Sequence, residues 1–159
     1  SLPLGLDCLE PECSTCIPSP NTRGRQAERE FAEVGIHTFY TMKGSIVTSL
    51  IYRGVALRNQ LRDRGVNVIE TYPHATAVLL FGNNVPKRGT PEKVKFLKLH
   101  LGEYIAWLKP YDRLINESAC NALLSAYTAW LYIHGKTQEL GDEEEGRITI
   151  PRGLVQILQ

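Results

Sequence analysis

Val66-Asn67-Val68-Ile69-Glu70-Thr71-Tyr72-Pro73-His74-Ala75 is the stretch on which the fold class turns. Its apolar, β-branched first half predicts a strand over Val66–Thr71, and Pro73 ends it at once. The strand carries a carboxylate, Glu70, near its exposed end. Open α/β sheets keep their chemistry at the carboxyl ends of strands, so Glu70 is a candidate active-site acid. His74 stands one turn beyond it, where a proton carrier or a phosphate contact is useful, or where it is only a turn residue.

Working outward, the flanking segments read as helices. Arg23 to Val34 is followed by Gly35, and Ser45 to Arg64 repeats Ile46, Val47, Leu50, Ile51, Val55, Leu57 and Leu61 at helical spacing before Gly65. Gly54 lies inside the second of these helices, where it lowers propensity and permits close packing. A short apolar helix is expected over Ala75–Phe81, broken by Gly82-Asn83-Asn84. Thr90-Pro91-Glu92 is a helix start, with a capping residue and then proline at the first helical position. That helix runs to about Leu101, and an amphipathic stretch follows over Glu103–Leu108 until Pro110.

Glu117 to His134 is apolar nearly all round, which predicts a helix buried between layers. Glu117, Asn121 and Ser125 follow at four-residue steps and share one polar stripe on it. Such a stripe needs partners, either structural hydrogen bonds or a site. Glu117 and Glu70 are the two acids that suit a shared Mg²⁺ or Mn²⁺ centre for phosphodiester chemistry. The plainer reading makes them surface carboxylates near element ends. Gly146 to Pro151 predicts a last strand.

The order of elements fits α/β, but two strands are too few for a sheet covered by several helices. Self-association, or a partner segment completing the sheet, is expected to supply the rest. The 159 residues are read as one domain, with residues 1–20 an irregular Cys/Pro-rich segment. A net charge of +1 does not announce a nucleic-acid binder, yet the basic residues are grouped. One group is Arg23, Arg25 and Arg29; the next is Arg53, Arg58, Arg62 and Arg64; the third runs from Lys87 through Lys98. The acids collect at Asp142-Glu143-Glu144-Glu145, which allows a local positive face on a neutral chain, or simply solvated helix surfaces. Arg53, Arg58 and Lys87 are the candidate phosphate contacts.

No apolar run is long enough for a membrane span and no secretory pattern opens the chain, so a cytoplasmic protein with reduced thiols is expected. Cys8, Cys13 and Cys16 lie within one Pro-rich loop. The Cys13-x-x-Cys16 spacing is that of a zinc grip, with Cys8 local and a fourth ligand still to be found; a redox pair or inert thiols are the alternatives.

Five segments in order resemble the domain-of-unknown-function family 429, nucleases predicted to have a ribonuclease H-like fold. They are Leu2–Leu6; Arg25–Glu30 running into Gly35-Ile36; Val66–Ala75 with its E-x-Y-P pattern; Asn121–Ala129; and Gly141–Gly146 with Ile148–Pro151. The resemblance covers nearly the whole chain and matches the carboxyl-terminal two-thirds of the family. It implies a mixed sheet flanked by helices, in which Glu70 is the acid of the fourth strand in a divalent-metal nuclease. The family's first aspartate belongs to a strand that this chain does not contain. Where many relatives carry Asp-x-x-Asp-Ala, this chain has Ser118-Ala119-Cys120-Asn121-Ala122. Glu117, one turn before Asn121, stands in for the lost acid, and Asn121 offers a weaker carbonyl ligand. The alternatives are a degenerate scaffold of the same fold that binds nucleic acid or a protein, and a zinc-stabilised module.

Overall fold

The computed structural model describes residue 6, residues 8–14 and residues 23–153, without the side chain of Asn83. The protein is mixed helix and strand, with helix over 54% of it and a two-stranded antiparallel sheet. In chain order the elements are α1 (Gln26–Glu33), α2 (Thr48–Asp63), α3 (Pro73–Phe81), α4 (Pro91–Tyr104), α5 (Glu117–Ile133), β1 (Thr137–Asp142) and β2 (Gly146–Pro151). Turns of 3₁₀ helix follow α3 (Gly82–Asn84) and α4 (Ala106–Leu114). The chain divides into two compact units: Ser1–Glu70 with Glu139–Ile148, and Thr71–Gln138 with Thr149–Gln159.

In the first unit, Ala27 and Phe31 of α1 are fully buried and Ile36 nearly so. The helix closes where Gly35 turns to φ 74°, letting the Ile36 amide reach the Phe31 carbonyl at 2.9 Å. α2 is different, because none of its residues is buried. One side of it, Ile51 and Tyr52, packs on Leu6 and Leu9, and the Tyr52 hydroxyl accepts the Leu9 amide at 2.8 Å. Gly65 stops α2 at φ 77°, as the glycine after its last periodic residue predicts.

In the second unit, Ala77 of α3, Leu97 and Leu101 of α4, Leu108, and Cys120 and Leu124 of α5 form the core. Thr90 caps α4 by accepting the Lys93 amide at 3.3 Å, and Asn116 caps α5 by accepting the Ala119 amide at 2.9 Å. Each cap is worth about 1 kcal/mol. Hydroxyl pairs tie the unit further: Thr76 with Thr128 at 2.8 Å, and Thr71 donating to Ser125 at 3.0 Å.

Several expectations need correction. Residues 66–70 are extended but join no ladder, and the segment makes only one parallel bridge, Thr71 to Thr149. Its β-propensity is real, yet Val66 is 47% exposed, and a strand without neighbours has no hydrogen bonds to hold it. α3 starts at Pro73 rather than Ala75, because proline suits a first helical position. Pro110 does not end its segment but lies inside the 3₁₀ turn. α5 is not buried all round: Cys120, Leu124, Thr128 and Leu131 line its inner face, while Trp130 is 48% and Ile133 80% exposed. β1 was not foreseen; Thr137-Gln138-Glu139-Leu140-Gly141-Asp142 lacks apolar alternation and is held by pairing with β2.

Candidate functional site

Glu70 belongs to the first unit, and what meets it there is Arg25. The guanidinium grips both carboxylate oxygens, at 2.5 and 2.9 Å, while the Glu70 side chain stays 50% exposed. Arg25 itself is buried, 6% exposed, just before α1. Its Nε also donates to Glu28 at 3.2 Å, so one guanidinium serves two carboxylates. Burial works against the charge on Arg25, but the hydrogen bonds and charges of Glu70 and then Glu28 outweigh it. The pKa is therefore raised above arginine's ordinary value.

Glu28 is the hub of this cluster. At 4% exposure it accepts the Arg25 amide at 3.0 Å, the Thr41 amide at 2.6 Å and the Thr41 hydroxyl at 2.5 Å. With Arg25 at the helix entrance and Glu28 three residues on, this is a reciprocal cap whose acidic half also anchors the Thr41 loop. Gly24 makes room for it: φ is +67°, and a Cβ there would meet Tyr40 and lie 2.5 Å from the Glu28 carboxylate. The acidic turn is likewise engaged. Glu145 accepts the Gln26 amide at 2.5 Å, Glu30 accepts the Gly141 amide at 2.9 Å, and Asp142 accepts the Glu145 amide at 2.7 Å. A run that reads in sequence as solvated charge thus places a carboxylate on the amino end of α1, where the helix dipole favours it.

The remaining acid candidates belong to the second unit. Glu117 opens α5 and pairs with Lys93 at 3.3 Å, a lysine only 1% exposed, while accepting the Gly89 amide at 3.4 Å. Asn121 is half-buried one turn later. Of the polar stripe, Glu117 meets Lys93 and Ser125 meets Thr71, so structural hydrogen bonding accounts for its two ends. His74 lies in the first turn of α3, its ring edge-on to Tyr72 at 6.0 Å. The Tyr72 hydroxyl accepts from Arg88 at 3.0 Å, and the Arg88 guanidinium lies 5.8 Å from the ring centroid. Burial pushes the Tyr72 phenol up and Arg88 pulls it back in part.

Of the candidate phosphate contacts, Lys87 is exposed beside Arg88 in the second unit, whereas Arg53 and Arg58 lie on α2 in the first. Cys8 and Cys13 are half-buried against Ile51 and Tyr52; Cys16 lies outside the described residues. Among the described residues, no group of three or more His, Cys, Asp or Glu side chains gathers as a ready metal cage.

Glu70 nonetheless has the right donors for a hard cation. Each oxygen takes one hydrogen bond from Arg25 and keeps a second lone pair, and half of the side chain is open. Magnesium commonly uses one or two carboxylates and completes its shell with water and phosphate oxygens.

No family model, curated protein or solved structure matches the chain.

The site residue that sequence reasoning missed is Arg25. Its partner Glu70 is 45 positions away, and no spacing rule links them. The available signal was local: an arginine after glycine at a helix entrance, with Glu28 at the third helical position, the pattern of a reciprocal cap.

Among the described residues, no helix is long and apolar enough to cross a membrane.

Proposed function

We propose that this chain is a ribonuclease H-like, divalent-metal-dependent nuclease in which Glu70 is the metal-binding acid. The observation that carries this reading is the placement of Glu70. It is a half-exposed carboxylate directly before the residue that bridges in parallel to β2, Thr71. The E-x-Y-P segment that resembles the nuclease family contributes the same residue. In this reading Glu70 holds Mg²⁺ or Mn²⁺, with Glu117 and Asn121 as further oxygen donors. The metal, when bound, supplies charge stabilisation for phosphodiester displacement. Arg25 fixes the orientation of the Glu70 carboxylate through its two-pronged bond. Lys87 offers its charge to the phosphate backbone, and His74 is the nearest proton carrier in sequence.

A second reading is favoured by the ion pairs themselves. Glu70 answers a buried arginine and Glu117 a buried lysine, so both acids already have structural employment. In that reading the chain is a degenerate scaffold that binds nucleic acid or a protein without cutting. Cleavage of labelled single-stranded, double-stranded and hybrid substrates in Mg²⁺ or Mn²⁺ separates the two. Cleavage lost in Glu70→Gln supports the nuclease. Binding without cleavage, equal in wild type and Glu70→Gln, removes the nuclease reading and leaves the scaffold.

A further inference from the structure

α2 has two apolar faces, and the first unit uses only one. Ile51 and Tyr52 pack on Leu6 and Leu9. On the opposite side Leu50, Gly54, Leu57 and Leu61 recur at i, i+4, i+7 and i+11, the spacing of a single helical stripe. Leu50 is 68% exposed and Leu57 56%, and Ile46, just before the helix, extends the stripe at 94%. Gly54 sits in its middle with nothing within 4 Å of where a Cβ would be, leaving a notch for close approach.

Charge borders the stripe on both sides. By helical rotation Arg53 and Arg64 lie along one edge, Arg58 and Arg62 along the other. Asp63 is the one acid from Thr48 to Arg64. A second copy of the same face would set arginine against arginine along both edges. A nucleic-acid backbone would satisfy the arginines but leave the leucines without apolar partners. What answers both features is an apolar seam edged by carboxylates.

We propose that the outer face of α2 docks an amphipathic helix of another protein, its leucine-like seam bordered by Asp or Glu. The docked helix lies along Leu50, Leu57 and Leu61, backs into the Gly54 notch and pairs its acids with Arg53 and Arg58. Nothing in this depends on whether Glu70 serves a nuclease.

The probe is a fluorescein-labelled synthetic helix of three heptads, with leucine at the seam positions and glutamate at both flanks. Repulsion among its glutamates keeps it from pairing with itself at neutral pH. A control peptide carries lysine at the flanks. With the full chain, fluorescence anisotropy should show saturable binding of the glutamate peptide only, weakening as salt rises to about 0.5 M. Leu50→Asp with Leu57→Asp should weaken binding by at least about tenfold. Arg53→Glu with Arg58→Glu should weaken it comparably and switch preference to the lysine peptide. All four positions are at least partly exposed, and an unchanged far-UV circular dichroism spectrum verifies that the variants fold.

No saturable binding at about 100 µM, or binding indifferent to both double variants, overturns the proposal. So does displacement of the peptide by a single-stranded oligonucleotide whose own binding needs Arg53 and Arg58 but not the leucines, since the face then belongs to nucleic acid. Sedimentation showing a dimer that Leu57→Asp dissociates would instead assign the face to a second copy.

Discussion

Replacing Glu28 by glutamine should destabilise the first unit by about 2–3 kcal/mol, and the geometry determines how. The carboxylate accepts four hydrogen bonds in a nearly water-free position: two at Oε2, from the amides of Arg25 and Thr41, and two at Oε1, from Arg25 Nε and the Thr41 hydroxyl. Glutamine has one oxygen. Turned toward the two amides, that oxygen keeps both backbone bonds, and the new NH₂ finds the Thr41 hydroxyl, which rotates to accept. The opposite flip sets NH₂ against two N–H donors and is excluded. What is lost is the charge-assisted bond from Arg25, at roughly 1.5–3 kcal/mol, while Glu70 still balances the guanidinium.

Alanine at position 28 should cost more, because it orphans buried donors at roughly 1–3 kcal/mol each. Thr41→Ala should cost only about 1 kcal/mol, since it removes one hydroxyl and leaves the carboxylate in place. Both tryptophans, Trp107 and Trp130, belong to the second unit, so their fluorescence is the wrong probe. Urea unfolding followed by hydrogen exchange of the α1 amides is the direct assay. If Glu28→Gln changes their protection by less than about 0.5 kcal/mol, the Arg25–Glu28–Thr41 cluster does not hold the entrance to α1, and the reasoning fails.

Three further outcomes are expected. Glu117→Ala should destabilise the second unit by about 2–4 kcal/mol, because it strands the buried Lys93 ammonium, whereas Lys93→Met should cost far less; thermal melts of both variants and their combination decide it. Thr76→Val and Thr128→Val should each cost about 1–3 kcal/mol singly, yet the double variant should recover part of the loss, since both polar partners are then gone; additive losses in urea titrations would refute that pairing. Burial pushes the Cys120 thiol up, with Lys98 opposing and Glu117 adding to the shift. Its folded pKa thus exceeds the unfolded one, so its stability contribution is complete below the ordinary thiol range near about 8.5 and is lost as pH rises through the folded pKa. Cys120→Ala should flatten that alkaline decline in stability-versus-pH curves.

What the sequence could reveal divides along a physical line. α2, α4 and α5 were legible because their determinants are local: apolar residues at helical spacing, Thr90 placed as a cap, Gly65 placed as a stop. β2 was legible for the same reason, its Ile148-Thr149-Ile150 run being β-branched throughout. β1 was not, because Gln138, Glu139 and Gly141 have little strand preference and are held by cross-strand bonds that only the folded hairpin supplies. The converse failure is residues 66–70, where strand preference is strong and no ladder forms.

The candidate site follows the same division. Glu70 was recognisable from its place after a β-branched run and before proline. Its relation to Arg25 is a tertiary fact that no periodicity encodes. That relation changes the chemical question. The task for Glu70 is now to bind a cation while already serving as counter-ion to a buried guanidinium. Arg25 sits at the crossing point of both possibilities, since it would orient a metal-binding carboxylate in a nuclease and would simply be neutralised by it in a scaffold. Arg25→Met distinguishes them without touching the acid. Freed from its clamp, Glu70 should bind Mn²⁺ more tightly if electrostatic opposition from Arg25 dominates, and more weakly if orientation does. A Mn²⁺ affinity unchanged between wild type, Arg25→Met and Glu70→Gln would mean that neither acts on a metal, and Glu70 would be left as a structural counter-ion.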